Sequence, residues 1–331
     1  MKILVNGGAG YIGSFMVRRL LDDGYEVLVA DSLERGHESF LDSRSKFIKG
    51  NLLDKSFVKD LFSNNQINGV IHFAGYISMA ESVENPSIYF ENNVFAVLNV
   101  LEEMGKNNVK NLIFSSTAGV YGNPIKVPIT EEHPKSPTNP YGESKLMVEK
   151  ILSWFKPLGI NYVCLRYFNA AGASLDGLKG EDHSPETHII PNAIASAINN
   201  AGFALYGDDY NTKDGTCVRD YVHVLDLVEA HILALKKLEK EEGGFSYNVG
   251  TGNGYSNKEV VEMVKRISGI DFKVNINNRR PGDAEVLVAD VSKIKQELGF
   301  NPKYSDLETI VKTAWLWHSR NSKLKTKNSK V

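Results

Sequence analysis

Hydrophobic and polar positions in the first half of this chain follow two alternating periods. Short, almost wholly apolar runs recur at Ile3-Leu4-Val5, 27–30, Phe47-Ile48, 70–75 (with His72 inside it) and Leu112-Ile113-Phe114. Runs of this length with no polar face predict strands buried on both sides. Between them the apolar positions space out at helical intervals. Ile12, Phe15, Met16 and Leu20 share one side of a segment that ends at Asp23-Gly24, and residues 55–62 repeat the pattern. A longer helical pattern with Pro86 near its start runs to about Lys106. Alternating strands and helices predict a parallel, doubly wound sheet. Beyond Asn169 the pattern turns irregular. Residues 173–185, rich in Gly, Asp and Ser, predict a surface loop, followed by helices at 189–199, 225–238 and 257–267 and strands at 204–206 and 245–249. This half predicts a smaller α+β lobe, with segments near 218–250 returning to the first half.

Composition narrows the class. A chain of 331 residues, 42% hydrophobic and 24% charged, has the make-up of a soluble globular protein of about two domains. A formal net charge of −2 gives no reason to expect nucleic acid or an anionic membrane as partner. Cys164 and Cys217 form no close-spaced pattern, so neither a disulfide framework nor a metal site is expected. No apolar run approaches the length of a membrane span, and Met1-Lys2 leads straight into the first strand. The cytoplasm is the expected location.

Chemistry enters at the strand ends. Gly7-Gly8-Ala9-Gly10-Tyr11-Ile12-Gly13 follows the first strand and opens the first helix, and the second strand closes with Asp31, 18 residues after Gly13. Strand, glycine turn, helix, strand and acid form the full context of a dinucleotide site. The glycines let backbone approach the pyrophosphate at a helix N-terminus. Asp31 suits a ribose diol and disfavours the extra phosphate of NADP, so NAD is expected, with Arg35 acting against that preference. The fold class is therefore α/β, a Rossmann-like doubly wound sheet. Residues 1–170 are the expected NAD-binding domain and 171–331 mainly a substrate-binding lobe.

Asn139-Pro140 predicts a helix start, since Asn caps orphan amides and Pro fits the first turn. Tyr141 and Lys145 then share one face. A cation beside a phenol favours the phenolate, which makes the pair a candidate for proton transfer. An amphipathic helix with Tyr inward and Lys outward gives the same spacing, so context decides. That context is Ser115-Ser116-Thr117 and Phe73-Ala74-Gly75, which the doubly wound sheet brings to the same edge. His72, inside an apolar run, reads as a core residue.

With these landmarks, and with Val120-Tyr121-Gly122, 165–169, 206–210, 214–224 and 279–283, the sequence resembles the extended short-chain dehydrogenase/reductases over almost its whole length. Within them it is most similar to the UDP-sugar 4-epimerases of the NAD-dependent epimerase/dehydratase family. The resemblance implies inversion of C4 between UDP-glucose and UDP-galactose, through a transient 4-keto sugar and bound NAD. It implies Tyr141 as general base and acid, Lys145 as the group that lowers the Tyr pKa and holds the nicotinamide ribose, and Thr117 as partner of the sugar O4. Cofactor contacts carry over to Gly7, Gly10, Tyr11, Ile12, Gly13, Asp31, Asn51, Leu52, Phe73, Ala74, Gly75, Asn92, Ser115 and Phe168. Substrate contacts carry over to Asn169, Ile189, Leu205, Tyr206, Arg219, Arg280 and Asp283, with Leu287 limiting sugar bulk. The sequence departs from many relatives at Asn51, where they have Asp, and at Ile77, where some have a cofactor-contacting Lys. Dehydratases of this group resemble a Thr-Asp-Glu triplet where this chain has Thr117-Ala118-Gly119, so elimination lacks its acid and base. N-acetylated and acidic UDP-sugars stay open as alternative substrates, as does a non-catalytic NAD-binding scaffold. A homodimer through the helices near Pro86 and Tyr141 is also implied. The basic end from Arg320 through Lys323, Lys325, Lys327 and Lys330 is expected to be solvated and unstructured.

Overall fold

A computed structural model describes residues 1–280 and 282–328. The chain begins with β1 (Lys2–Asn6), α1 (Tyr11–Asp22), β2 (Glu26–Asp31), β3 (Lys46–Lys49), α2 (Lys55–Ser63) and β4 (Gly69–His72). Two short helices, α3 (Met79–Glu84) and α4 (Pro86–Phe90), lead through a π-helical turn at Glu91–Phe95 into α5 (Ala96–Lys106). Then come β5 (Asn111–Thr117), α6 (Pro140–Phe155), β6 (Asn161–Tyr167) and β7 (Asn169–Ala171). The second half holds α7 (Ile189–Asn199), β8 (Phe203–Tyr206), β9 (Val218–His223), α8 (Val224–Leu238), β10 (Gly244–Val249) and β11 (Gly254–Ser256). It ends with α9 (Asn257–Ser268), β12 (Val274–Asn277), β13 (Val286–Leu287), α10 (Ser292–Leu298) and α11 (Leu307–Asn328).

Seven strands form one parallel sheet in the order β10-β6-β5-β4-β1-β2-β3. Successive residues of a strand point to opposite faces, and both faces are covered. Ile3, Val5 and Val29 face α1 and α8, packing with Phe15, Met16, Leu20, Leu227 and Leu235. Leu4, Leu28, Val70 and Leu112 face α2, α5 and α6, packing with Leu61, Val100, Val148 and Leu152. The doubly wound sheet is therefore as the periodicity predicts. β10 comes from far along the chain and closes one edge beside β6. The second half also contributes a separate core where α7, α9 and α11 meet around Ile194, Phe203, Val261 and Ile310. Its strands pair in small sheets, β11-β9-β13 with β7 on β9, and β12-β8.

Several expectations are corrected in detail. β4 stops at His72, because the Phe73 and Ala74 amides both turn back to the Asn6 carbonyl (2.8 and 3.1 Å). The long helix expected after Pro86 is two helices joined by the π-helical turn, and α3 precedes it. Residues 173–185 are irregular but not all at the surface, since Ala173 and Glu181 are buried. The basic end is helical to Asn328 rather than unstructured, while Lys330 lies outside the described residues, as does Pro281. No helix among the described residues is long and apolar enough to cross a membrane.

Candidate active site

The carboxyl ends of β1, β2, β4 and β5 open into one cavity of about 880 Å³ that runs on to β9 and β13. Its floor is the glycine turn. Gly7 has φ +77, and a Cβ there would lie 2.5 Å from the Ala74 amide nitrogen. A Cβ on Gly13 would lie 2.2 Å from the Gly7 carbonyl. A side chain at either position would collide with this backbone, so the glycines let the turn close tightly on itself and on the loop after β4 while it lines the cavity, an arrangement that fits a dinucleotide. Asp31 ends β2 with its carboxylate accepting from the Ala9 amide (3.0 Å) and the Leu33 amide (2.9 Å), which fixes its orientation at the cavity wall. Arg35, expected to act against NAD, is paired with Glu81 (2.7 Å) and lies over the Tyr76 ring. Asn51 uses its side-chain oxygen to accept from the Leu53 amide (2.9 Å), an Asx turn that holds Leu52 at the wall.

The π-helical turn at Glu91–Phe95 places Asn92 at the cavity and Asn93 inward. Asn93 bonds Tyr76 through both its backbone groups, at 2.8 and 3.0 Å, and donates to the Ser144 hydroxyl (3.1 Å). The position noted in the sequence is thus at the cavity, while its neighbour ties α6 to the loop after β4.

α6 starts as predicted, with the Asn139 side chain accepting from the Gly142 amide (2.9 Å) and Pro140 in the first turn. A Cβ on Gly142 would lie 2.6 Å from the Gly119 carbonyl, so this helix rests directly on the turn that follows β5. That contact sets Tyr141 against Thr117. Burial raises the Tyr141 pKa, and the Thr117 hydroxyl beside it lowers it. Lys145 is buried, donates to the Ser115 carbonyl (2.9 Å) and sits over the Phe114 ring. Burial pulls its pKa down to about 8. The direction is thus opposite to the depression the resemblance implies, with burial of the phenol as the largest cause, and the Lys145 ammonium is directed at the Ser115 carbonyl. Behind the site, Arg166 and Glu149 form a buried pair through two contacts (3.0 and 2.7 Å), with Glu149 also accepting from Ser116 (2.5 Å). Arg166 reaches on to the Tyr121 hydroxyl (2.8 Å), which donates to Asn248 (2.6 Å).

Gly7, Gly10, Tyr11, Ile12, Gly13, Asp31, Asn51, Leu52, Phe73, Ala74, Gly75, Asn92, Ser115, Thr117, Tyr141, Lys145 and Phe168 all line this cavity. On the other wall stand Asn169, Arg219, Asp283 and Leu287. Arg219 donates to the Val218 and Ala284 carbonyls (3.0 and 2.8 Å) and approaches Asp283 (3.6 Å). Ile189, Leu205, Tyr206 and Arg280 are not among the lining residues. Leu205 belongs to the core of the second half, Ile189 packs against it, and Arg280 lies over the Tyr206 ring at 3.9 Å. Two groups escaped the sequence reading. Asp220, fully buried, accepts from the Thr251, Gly252 and Ala289 amides and so braces the strand that carries Arg219. Glu181, His183 and His188 line the wall near Tyr11, in a segment whose composition signalled only a loop.

Known proteins share this fold over nearly the whole chain. The family model for the NAD dependent epimerase/dehydratase family matches residues 3–250. A UDP-glucose 4-epimerase of Lactobacillus helveticus is 50% identical over 325 residues, covering 98% of both chains. A crystal structure of a UDP-glucose 4-epimerase superposes with a TM-score of 0.94 at 45% identity, covering 97% of this chain and 98% of that one. The Bifidobacterium longum UDP-glucose 4-epimerase, solved with NAD+ and UDP, gives a TM-score of 0.92 at 38% identity, over 97% and 99%. The chain belongs to the NAD-dependent epimerase/dehydratase family.

Proposed function

We propose that this protein is a UDP-glucose 4-epimerase, interconverting UDP-glucose and UDP-galactose by oxidation and re-reduction at C4. The observation that carries the reading is the convergence of Thr117, Tyr141 and Lys145 with the glycine turn and Arg219 in a single cavity. Similarity at 50% identity over nearly the full length to a UDP-glucose 4-epimerase supports the same activity. NAD, held by the glycine turn, Asp31 and the Phe73–Gly75 turn, supplies a hydride acceptor when bound. The chain's residues handle the proton and the geometry. Tyr141 as phenolate takes the 4-hydroxyl proton while the C4–H bond is broken, leaving a 4-keto sugar. Tyr141 returns the proton to O4 after the sugar has presented its other face. Its phenolate needs a neighbouring cation because burial disfavours it, and Lys145, one turn along α6, is the group at hand. Thr117 accepts from the Gly119 amide (3.0 Å), which leaves its own hydroxyl proton free to donate to O4 or to the phenolate.

Arg219 is the proposed pyrophosphate contact and Asp283 the proposed ribose partner, with Asn169 beside them. Arg280 would reach a phosphate only by leaving the Tyr206 face. A homodimer through the helices beginning near Pro86 and Tyr141 is supported by the exposed Ile88, Phe95, Met147 and Trp154 along them. The proposed setting is the cytoplasm, which suits two buried, unpaired cysteines. The test is an NMR assay of purified protein with UDP-galactose, run with and without added NAD. Conversion to UDP-glucose is expected. Absence of change with that sugar, and equally with N-acetylated and acidic UDP-sugars, would overturn the reading in favour of a non-catalytic protein.

A further inference from the structure

Between β7 and α7 the sequence Glu181-x-His183-x-x-Glu186-x-His188 folds back on itself. One ligand atom from each of these four residues lies within 4.8 Å of all the others. The Nδ1 atoms of His183 and His188 are 3.0 and 2.7 Å from the same Glu181 oxygen. From the Glu186 carboxylate they stand 3.9 and 3.1 Å away. Around a tetrahedral zinc ion, with ligand bonds of roughly 2.0–2.2 Å, neighbouring donor atoms stand about 3.3 Å apart. The observed separations bracket that value.

We infer that Glu181, His183, Glu186 and His188 bind a single divalent transition-metal ion of the zinc type. Two imidazoles and two carboxylates suit zinc or cobalt, whereas calcium and magnesium call for six or more oxygens. Glu181 is buried, only 5% exposed, and a buried carboxylate needs positive charge beside it. A protonated His188 would supply that charge, but it would not satisfy His183. The Nδ1 atom of His183 is closed off from solvent and makes no hydrogen bond, despite its closeness to Glu181. A lone pair facing a carboxylate oxygen is repulsive unless a proton or a metal cation lies between them, and only a metal ion can be shared by both imidazoles and both carboxylates at once. An ion at the centre takes a lone pair from all four residues.

The surroundings meet the further requirements of a metal site. Glu186 is oriented by the Thr187 and His188 amides (2.7 and 2.8 Å). The His188 side chain is 44% exposed and leaves a way in. The segment's attachments indicate a structural ion rather than a reactant. Tyr11, at the start of α1, meets the His183 ring edge-on and donates to the Gly172 carbonyl (2.6 Å). α7 begins at the residue after His188. A metal ion here clamps the cavity wall between the glycine turn and the second half.

The experiment uses full-length protein without an affinity tag, dialysed against chelator and titrated with Co2+ and then Zn2+. Expected are one equivalent per chain, the visible absorption of tetrahedral cobalt, its loss when zinc displaces the cobalt, and a rise in melting temperature. His183→Ala and His188→Ala should each lose the stoichiometric phase. Glu186→Gln, a conservative change at a half-buried carboxylate, should weaken binding while circular dichroism stays unchanged. No cobalt spectrum in the wild-type protein, or one that persists in the double His variant, overturns the assignment.

Discussion

The two walls of the cavity are built in opposite ways. The nucleotide wall hangs from a seven-stranded parallel sheet whose strands are buried on both faces, and each functional group sits where a strand ends. The substrate wall hangs from strands of two to six residues, whose positions are set by pairing with distant segments. Asp31 and Thr117 are placed by regular backbone. Arg219 is placed by two carbonyls of its surroundings and by Asp220, which gathers amides from Thr251, Gly252 and Ala289. A regular sheet gives a fixed cofactor cradle, and loops braced by buried side chains give a wall that can vary with the sugar.

The largest effect should come from the group that joins the two walls. Tyr141→Phe removes the proton carrier without disturbing either wall. Turnover should fall by about 10³-fold or more, in line with general acid–base contributions, while NAD binding measured by calorimetry stays unchanged. Full activity in that variant would refute the assigned role.

The next prediction concerns the brace behind the sheet. Arg166→Met leaves the Glu149 charge buried without its partner. Chemical denaturation should report a loss of about 3–5 kcal/mol, the usual cost of breaking a buried pair from one side. A loss below 1 kcal/mol would mean that the network adds little to the junction of β5, β6 and α6.

Arg219→Ala addresses the substrate wall alone. KM for the UDP-sugar should rise roughly 10- to 100-fold, the cost of about 1.5–3 kcal/mol for a charge-assisted contact, with NAD affinity unmoved. An equal loss of NAD affinity would show that the walls are not independent.

The smallest effect is a pH dependence shared by both regions. Burial lowers the pKa of His72 to about 3 and those of His223 and His231 to about 4. Below the unfolded value of about 6.5 the unfolded chain binds protons that the folded chain refuses, so stability falls as pH drops from there toward 4. Denaturation midpoints measured between pH 7 and 5 should decline, and His72→Gln should flatten the decline. A stability independent of pH over this range would contradict the burial of these groups as neutral imidazoles.

The same contrast governs how much the sequence reveals. The helix from Tyr11, the cap at Asn139 and the strands of the first half are legible because periodicity and turn chemistry act locally. The alignment of the glycine turn, Asp31, the Phe73–Gly75 turn and Thr117 on one edge follows from the doubly wound rule alone. β6, by contrast, is not among the apolar runs that the periodicity picks out, β7, β11 and β13 are too short to leave a periodic trace, and β9 mixes Arg219, Asp220 and His223 into its six residues. Arg280 and Tyr206 were expected at the substrate. Neither is among the residues lining the cavity, and they lie against each other, a guanidinium on an aromatic face being a contact that spacing cannot foresee. The Glu181–His188 cluster hid in a stretch that reads as loop, because its donors are separated by unremarkable residues and converge only through the fold.

The measurement closest to the central claim follows one hydrogen atom. UDP-galactose carrying deuterium at C4 is incubated with the enzyme in ordinary water, and the product is read by NMR. Oxidation and re-reduction inside one closed site predicts UDP-glucose that keeps deuterium at C4. Loss of the label to solvent would mean that C4 is inverted through an exchangeable proton, and the account of this site would be wrong.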